Sequence, residues 1–229
     1  MEHVLSSEME VREALSSGKL VGFAVRQVDL SRVAFAGAVL ENVTFTRVGL
    51  SRAALAEVTA ADLQLAEISM RGIDLTRAYL RKCNFLNCEA IEAQCVGALL
   101  EDVQLFETVL SNAKFNYARL IRCTFQSAEL YGVGFMNAFL NRVVFADNKM
   151  GNASLSRADF RQALLIDVDL RGANLHASNF DGALLVRVDL RGANLVRADL
   201  RGASMVGCTF GPGDLDGAVM DPQRVFRSV

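Results

Sequence analysis

The chain has 229 residues, of which 52% are hydrophobic and 22% charged, with a formal net charge of −2. Its mean hydropathy is +0.25, yet no apolar run reaches the roughly 20 residues of a membrane-spanning helix, and the start, MEHVLSSEMEVREAL, lacks the pattern of a secretory signal. We therefore expect a soluble cytoplasmic protein with no membrane partner, and the weak net charge indicates no general attraction to nucleic acid.

The first predicted element is a short helix within residues 1–20. Ser7 and Glu10 form the S-x-x-E pattern of a capping box, and Gly18 is a suitable stop. The apolar stripe of this helix consists of Met9, Val11, Ala14 and Leu15. We expect the helix to cap the repeat region that follows.

The repeat region has a period of five residues. From Leu30 to Met220, 36 of the 39 residues at this spacing are Leu, Phe or Met, the exceptions being Ala60, Ala90 and Cys95. Two residues before each lies a second series, in which 18 positions are Ala and 10 are Val. Neither a helix nor a strand has this period, whereas short extended steps separated by corners do. Four such steps close a coil of twenty residues, and coils stack at the strand spacing of about 4.8 Å.

The residue pattern also resembles a known family. Ala158-Asp159-Phe160, Ala173-Asn174-Leu175, Ala193-Asn194-Leu195 and Ala198-Asp199-Leu200 match the A-(D/N)-L-x-x repeat of the pentapeptide-repeat proteins. The resemblance extends over about residues 21–225, leaving residues 226–229 as a C-terminal tail. It implies an all-β fold, a right-handed quadrilateral parallel β-helix of about ten coils.

The coil 81–100 departs from the packing rule. Ala90 and Cys95 occupy centre positions that hold large residues in other coils, so the core there is thin. We predict a local bulge or bend in this coil, with a ligand crevice as the alternative.

The octapeptide VDLRGANL occurs at residues 168–175 and again at 188–195, one coil apart. Leu170 is therefore predicted to stack on Leu190, and Leu175 on Leu195, as ladders in the core. On the surface, residues twenty apart also stack. The column Arg161, Asp181, Arg201, Asp221 is predicted to pair opposite charges between coils.

A second set of outward positions is apolar in the C-terminal coils. It consists of Val144, Leu164, Ile166, Leu184, Val186, Val206 and Phe226. A continuous exposed apolar patch typically marks an interface, so we interpret these residues as a candidate site of self-association or partner docking. The alternatives are cover by the chain's own tail, or tolerated apolar substitutions.

Residues that could carry catalysis or bind a metal are scarce. All five cysteines fall on inward positions and match no zinc spacing, which indicates buried structural thiols. His3 and His176 have no nucleophile or carboxylate at a recognisable spacing, and no phosphate-binding loop is present. Thr108 and Asn148 also point inward and should bond to the coil backbone. We therefore expect no enzyme activity, no cofactor and no metal.

These features predict a non-enzymatic, protein-binding solenoid. The resemblance implies a role as a DNA-mimicking modulator or protector of DNA gyrase or another type II topoisomerase, since some family members act in that way as dimers joined at their C-terminal ends. No direct contact with nucleic acid is expected. The alternative is an interaction scaffold, because residues 14–22 loosely resemble the entry into pentapeptide modules associated with bacterial type VI secretion.

Overall fold

The computed structural model describes residues 3–221 as a parallel β-solenoid of about ten turns with one short helix near its N-terminus. This confirms the predicted fold class. Each strand pairs in parallel with the strand twenty residues later, in unbroken register from Phe23 to Val206. Twenty residues are therefore one complete coil.

The strands, numbered in chain order, form two sheets on two sides of the coil. The first sheet contains β1 His3–Leu5, β3 Phe23–Arg26, β5 Thr44–Thr46, β7 Gln64–Ala66, β9 Asn84–Leu86, β11 Gln104–Phe106, β13 Thr124–Gln126, β14 Val144–Ala146, β15 Leu164–Ile166, β16 Leu184–Val186 and β17 Ser204–Val206. The second contains β2 Lys19–Val21, β4 Val39–Glu41, β6 Thr59–Ala61, β8 Tyr79–Arg81, β10 Leu99–Glu101 and β12 Arg119–Ile121. Single β-bridges, such as Asp29 with Gly49 and Ala34 with Ala54, join the coils on the other two sides.

The corners explain the small residues of the repeat. At many corners the inward N–H donates to the carbonyl three residues earlier, as Val133 does to Leu130 at 3.1 Å. The residue before it adopts a left-handed backbone, with φ near +66° at Gly172 and +70° at Gly192. Glycine enters this conformation at low cost, so the repeated Gly of VDLRGANL suits the corner, although Ala177 and Arg187 adopt the same conformation at other corners.

The centre series fills the interior. Leu170, Leu175, Leu190 and Leu195 are all buried. Phenylalanine rings stack between successive coils, with centroids 4.9 Å apart for Phe125 and Phe145 and 4.8 Å for Phe160 and Phe180. One coil cannot bury its own centre residues, so the core exists only through stacking.

The N-terminal end is capped by helix α1, Glu8–Ala14, followed by a 3-10 turn, Leu15–Ser17. The predicted capping box is present: Ser7 Oγ accepts from the Glu10 N–H, and the Glu10 carboxylate accepts from the Ser7 N–H. Gly18 ends the segment with φ of +74°, and Val11 is fully buried against the core. The expected cap is confirmed.

Two details of this cap differ from the prediction. Met9 is 76% exposed, so its place in the apolar stripe is wrong. It lies two residues before Val11, about 200° away around a helix, and only one face of this short helix meets the coil. The strand β1 was not anticipated; it pairs with β3 and extends the first sheet over the helix-bearing end.

The bulge predicted in the coil 81–100 is wrong. The Ala90 N–H donates to Val109 O and the Cys95 N–H to Lys114 O, both at 2.7 Å, so the register continues on each side. The missing side-chain volume instead leaves an apolar cavity of about 20 Å³ beside Ala90 and Cys95. A bulge would sacrifice backbone bonds worth about 1 kcal/mol each without filling this space. The cavity has room for about one water molecule, which excludes the ligand crevice.

Candidate protein-binding surface

The outward side chains of β14–β17, apart from the exposed Ser204, form an apolar surface. We call it the apolar patch; it consists of Val144, Ala146, Leu164, Ile166, Leu184, Val186 and Val206. Leu184 is 39% and Val206 56% exposed, and the others are half-buried. Of the predicted interface residues, Phe226 lies outside the described residues, and the structure places the other six together.

Strand register creates this patch. Val144 lies beside Leu164 and Leu164 beside Leu184, while Ile166 lies beside Val186. In a parallel sheet the residues flanking each buried centre residue both project outward. The column of Val144, Leu164 and Leu184 is apolar over three strands and ends at Ser204, whereas the column of Ala146, Ile166, Val186 and Val206 is apolar over all four.

One of the two outward columns of this sheet is polar toward the N-terminus, whereas the other holds Leu86 and Phe106 there. The outward column that holds Val144 and Leu164 contains Gln64, Asn84, Gln104 and Thr124 on the preceding strands. Asn84 Nδ2 donates to Gln64 Oε1 at 3.0 Å, so amides bond along this part of the column. The change from amides to aliphatic side chains in this column, from Val144 to Leu184, is therefore a local property of three coils and is not imposed by the fold.

Charged residues border the patch on one corner. Arg187 donates from Nε and Nη2 to the Asp167 carboxylate, both at 2.6 Å, and these hydrogen bonds lower the pKa of Asp167. Asp147 lies one coil before Asp167 and accepts from Ser127 Oγ at 3.1 Å. On the other corner Arg142 Nε donates to Gln162 Oε1 at 2.8 Å. An apolar centre with a polar rim is the usual anatomy of a protein interface.

The charged column predicted from the sequence is paired differently. Arg161 and Arg201 form their ion pairs with Asp159 and Asp199, at 2.6 and 2.7 Å. The prediction that they pair with Asp181 and Asp221 in neighbouring coils is wrong. Each aspartate lies two residues before its arginine and also accepts the arginine backbone N–H, so the partner within the coil is already held in place.

Ion pairs between coils occur at the corner positions, where side chains twenty residues apart come into register. Arg47 pairs with Glu67 and Arg122 with Asp102, each at 2.7 Å. Each side of the coil includes the corner residue that ends it. On every side, the number of cationic side chains and the number of carboxylates between residues 19 and 221 differ by at most one. No side therefore carries a surplus of negative charge.

Seven inward polar side chains and thiols, Asn148 and Ser178 among them, donate to backbone carbonyls. Cys88 Sγ donates to Leu65 O at 3.5 Å, and Thr108 Oγ1 to Phe106 O at 3.0 Å. Similar thiol contacts are made by Cys83, Cys123 and Cys208. Burial raises the pKa of Cys83, Cys88 and Cys123 to about 11 and that of Cys95 to about 12. These thiols are protonated at neutral pH and poor nucleophiles.

Asn148 is the most fully bonded of the buried polar groups. Its Oδ1 accepts from the Ala128 N–H at 3.0 Å, and its Nδ2 donates to Phe125 O and Ala146 O at 2.9 and 3.1 Å. The side chain joins two coils at a corner where no turn bond from the Ala128 N–H is made. The expectation that Thr108 and Asn148 bond to the coil backbone agrees with these contacts.

A concavity of about 440 Å³ lies between Tyr131 and Arg171 over Gly151. Its charges pair with one another: Lys149 with Glu129 at 3.0 Å and Arg171 with Asp169 at 2.7 Å. Within residues 3–221 no group of three His, Cys, Asp or Glu residues could hold a metal ion. No helix in that range is long and apolar enough to span a membrane.

Comparisons with known proteins agree with this architecture. The family model "Pentapeptide repeat region" matches residues 98–175, and "Pentapeptide repeats (8 copies)" matches residues 68–103 and 183–221. Together they span more than half of the chain. No curated protein sequence matches it.

Two solved structures cover nearly the whole chain. HetL, a protein involved in heterocyst differentiation regulation in the cyanobacterium Nostoc sp. strain PCC 7120, is 24% identical, with 95% of this chain and 98% of HetL covered and a TM-score of 0.41. Trypsin-treated QnrB1, a plasmid-mediated fluoroquinolone resistance protein, is 16% identical, with 93% and 92% covered and a TM-score of 0.51. The likeness to QnrB1 supports the fold alone.

Proposed function

The chain belongs to the pentapeptide-repeat family, and from this premise we propose that it is a non-enzymatic protein-binding solenoid whose apolar patch docks a second copy of itself. The observation that carries the proposal is two adjacent apolar columns in register, one over three strands and one over four. A contiguous exposed apolar patch on a soluble protein often marks an interface.

The sizes of the patch residues favour an antiparallel pair of solenoids. If the two-fold axis passes through the coil of Leu165, Val144 of one copy lies opposite Leu184 of the other, and Ala146 opposite Val186. Each small side chain then meets a larger one, whereas a parallel pair would set Val144 against Ala146 and leave a gap. Cores of interfaces pack as densely as protein interiors, so the antiparallel pair fills the contact better.

The rim adds charge complementarity to the same arrangement. Asp147 and Arg187 lie on the same corner, one coil before and one coil after Asp167. The two-fold axis exchanges these positions, so Asp147 of one copy lies opposite Arg187 of the other. Two such contacts per dimer would orient the copies, although each exposed pair contributes only about 0–1 kcal/mol.

The dimer should be weak. The four strands of the patch span about 14 Å at the usual strand spacing. The area that so short a patch can bury is therefore below the roughly 800 Å² per partner of a stable interface. We expect association in the micromolar range, through the apolar patch itself.

The test is a paired substitution with a matched control. Leu164→Asp with Leu184→Asp places two carboxylates in the patch, and Gln104→Asp with Thr124→Asp places two in the same outward column outside it. In sedimentation velocity at tens of micromolar, the wild type and the control should dimerise and the patch variant should remain monomeric. Dimers of equal stability in all three would reject the patch and point to the C-terminal coil.

Crosslinking tests the antiparallel arrangement. In a Cys208→Ser background, Val144→Cys and Leu184→Cys chains are mixed under mild oxidation. The yield of disulfides between a Val144→Cys chain and a Leu184→Cys chain should exceed the yield of disulfides between two chains that carry the same substitution. Faster crosslinking of like chains would contradict the antiparallel pair.

Modulation of a type II topoisomerase is the second candidate, supported by the family resemblance. The near equality of cations and carboxylates on every side of the coil does not favour mimicry of DNA phosphates, so such binding would use the apolar patch. DNA gyrase supercoiling and quinolone-stabilised cleavage are measured with the wild type and the Leu164→Asp, Leu184→Asp variant. No effect of the wild type at micromolar concentration would reject this candidate. A scaffold for another partner would instead be captured by the wild type and lost with the same variant.

A further inference from the structure

One stretch of the surface has unpaired positive charge. On the side that carries β8, β10 and β12, residues Arg81, Lys82 and Arg119 form no ion pair with any described residue, and Arg142 bonds only to the neutral Gln162. Farther along this side, Arg161 and Arg201 are paired with carboxylates. We call Arg81, Lys82, Arg119, Arg122, Phe139 and Arg142 the basic strip.

The carboxylates within the basic strip are already engaged. Glu101 accepts from Tyr79 Oη at 2.9 Å. Asp102 accepts from Arg122 Nε and Nη2 at 2.7 and 2.8 Å, and this hydrogen bond, with the charges of Arg122, Lys82 and Arg81, lowers its pKa. Five cations against these two carboxylates leave a local excess of three positive charges over four coils.

An exposed aromatic ring lies among these cations. Phe139 is 50% exposed, and the Arg119 guanidinium lies 5.8 Å from its ring centroid. Arg119 and Phe139 are neighbours in adjacent coils, joined by a β-bridge. The cation–π contact holds the arginine beside the ring, so an apolar anchor and a fixed donor are presented together.

The register sets the distance between charges. Lys82, Arg122 and Arg142 lie in one column at multiples of twenty residues, so Lys82 and Arg142 are three coils, or about 14 Å, apart at the usual strand spacing. About four residues of extended peptide span this distance. Phe139 lies in the same coil as Arg142. Acidic side chains separated by that interval would reach both ends of the strip, while an apolar side chain between them, toward the Arg142 end, contacts Phe139.

A nucleic acid fits the strip less well. Glu101 and Asp102 lie between the cations and would repel a phosphate chain, and Phe139 offers one ring where strand-binding proteins present several for stacking. A peptide can place neutral residues opposite the two carboxylates.

We propose that the basic strip is a second docking surface, which binds an extended acidic segment of a partner protein, with acidic residues about four positions apart and an apolar residue between them. The strip lies on the side of the coil next to the apolar patch and shares only Arg142 with its rim. The proposal goes beyond the proposed function and does not require dimerisation.

The experiment uses a labelled peptide of sequence EEGLGEE, a matched QQGLGQQ peptide and a 12-mer of thymidine, with fluorescence anisotropy on the full chain. The wild type should bind the acidic peptide at least tenfold more tightly than the glutamine peptide or the oligonucleotide, with affinity falling as salt rises. Equal affinity for both peptides would overturn the proposal, and tighter binding of the oligonucleotide would assign the strip to nucleic acid.

Variants locate the binding. Arg81→Glu with Arg119→Glu should weaken the acidic peptide at least tenfold. Arg52→Glu with Arg157→Glu, which changes the net charge equally at exposed positions on other sides, should not. Phe139→Ala should weaken EEGLGEE but not EEGGGEE. Equal losses in both charge-reversed variants would show a general charge effect and refute the assignment. Leu164→Asp with Leu184→Asp should leave peptide binding unchanged, which separates this test from that of the dimer.

Discussion

Replacing Asn148 by Asp tests the buried hydrogen bonds of the corner between two coils. The new side chain has nearly the same shape, so packing changes little. The Asn148 amide donates to Phe125 O and Ala146 O, whereas a carboxylate can only accept and would face both carbonyl oxygens. A protonated carboxyl could donate to one of them. The folded state should therefore favour the protonated form.

The size of the effect follows from linkage. Burial and the two facing carbonyls should raise the pKa of the introduced carboxyl about three units above its unfolded value near 3.9. Because the folded pKa is raised, the penalty is absent below pH 4, grows between pH 4 and 7, and is complete above the folded pKa. Each pKa unit is about 1.4 kcal/mol, so the variant should lose about 4 kcal/mol of unfolding free energy at pH 7.5 beyond its loss at pH 4.

Urea unfolding followed by far-ultraviolet circular dichroism measures this, because the chain contains no tryptophan for fluorescence. The control is Asn148→Val, since Val168 and Val188 occupy the same position in later coils. It should lose about 1–3 kcal/mol, because the Ala128 N–H loses its acceptor, with no dependence on pH beyond that of the wild type. An Asn148→Asp variant whose stability relative to wild type is the same at pH 4.5 and 7.5 would refute the reasoning.

Three further outcomes are expected. Leu165→Ala should reduce the unfolding free energy by about 3–5 kcal/mol, because Leu165 is fully buried. Leu164→Ala on the same strand should cost less than about 1 kcal/mol at concentrations where the chain is monomeric. Equal losses would contradict the assignment of Leu165 as inward and Leu164 as outward. In the native protein a thiol reagent at pH 8 should modify the half-buried Cys208 first, and the four buried cysteines only after unfolding; rapid modification of all five would contradict their burial. Ser7→Ala should lower stability by about 1 kcal/mol through loss of the capping bond, while Ser16→Ala, in the 3-10 turn that has no side-chain cap, should have little effect.

Prediction from sequence succeeded where each residue's role repeats every five positions. A large centre residue and a small inward residue have one environment in every coil, so their identities report the fold directly. The capping box was predictable for a similar reason, since Ser7 and Glu10 act over three residues of local chain. The cysteines were predictable as inward residues, but their hydrogen bonds to carbonyls of the preceding coil were not, because these depend on the geometry of the corner.

The sequence alone determined the period, the twenty-residue coil and which side chains enter the core, because a solenoid repeats one local rule. Only the tertiary structure decided how the exposed residues interact. Arg161 bonds to Asp159 in its own coil, and the coil of Ala90 keeps its register around a small cavity. For Arg161, distances of a few ångströms decide which aspartate is its partner. For the coil of Ala90, the backbone hydrogen bonds between coils outweigh the loss of core volume. The basic strip likewise emerged only when the partners of each charge were known.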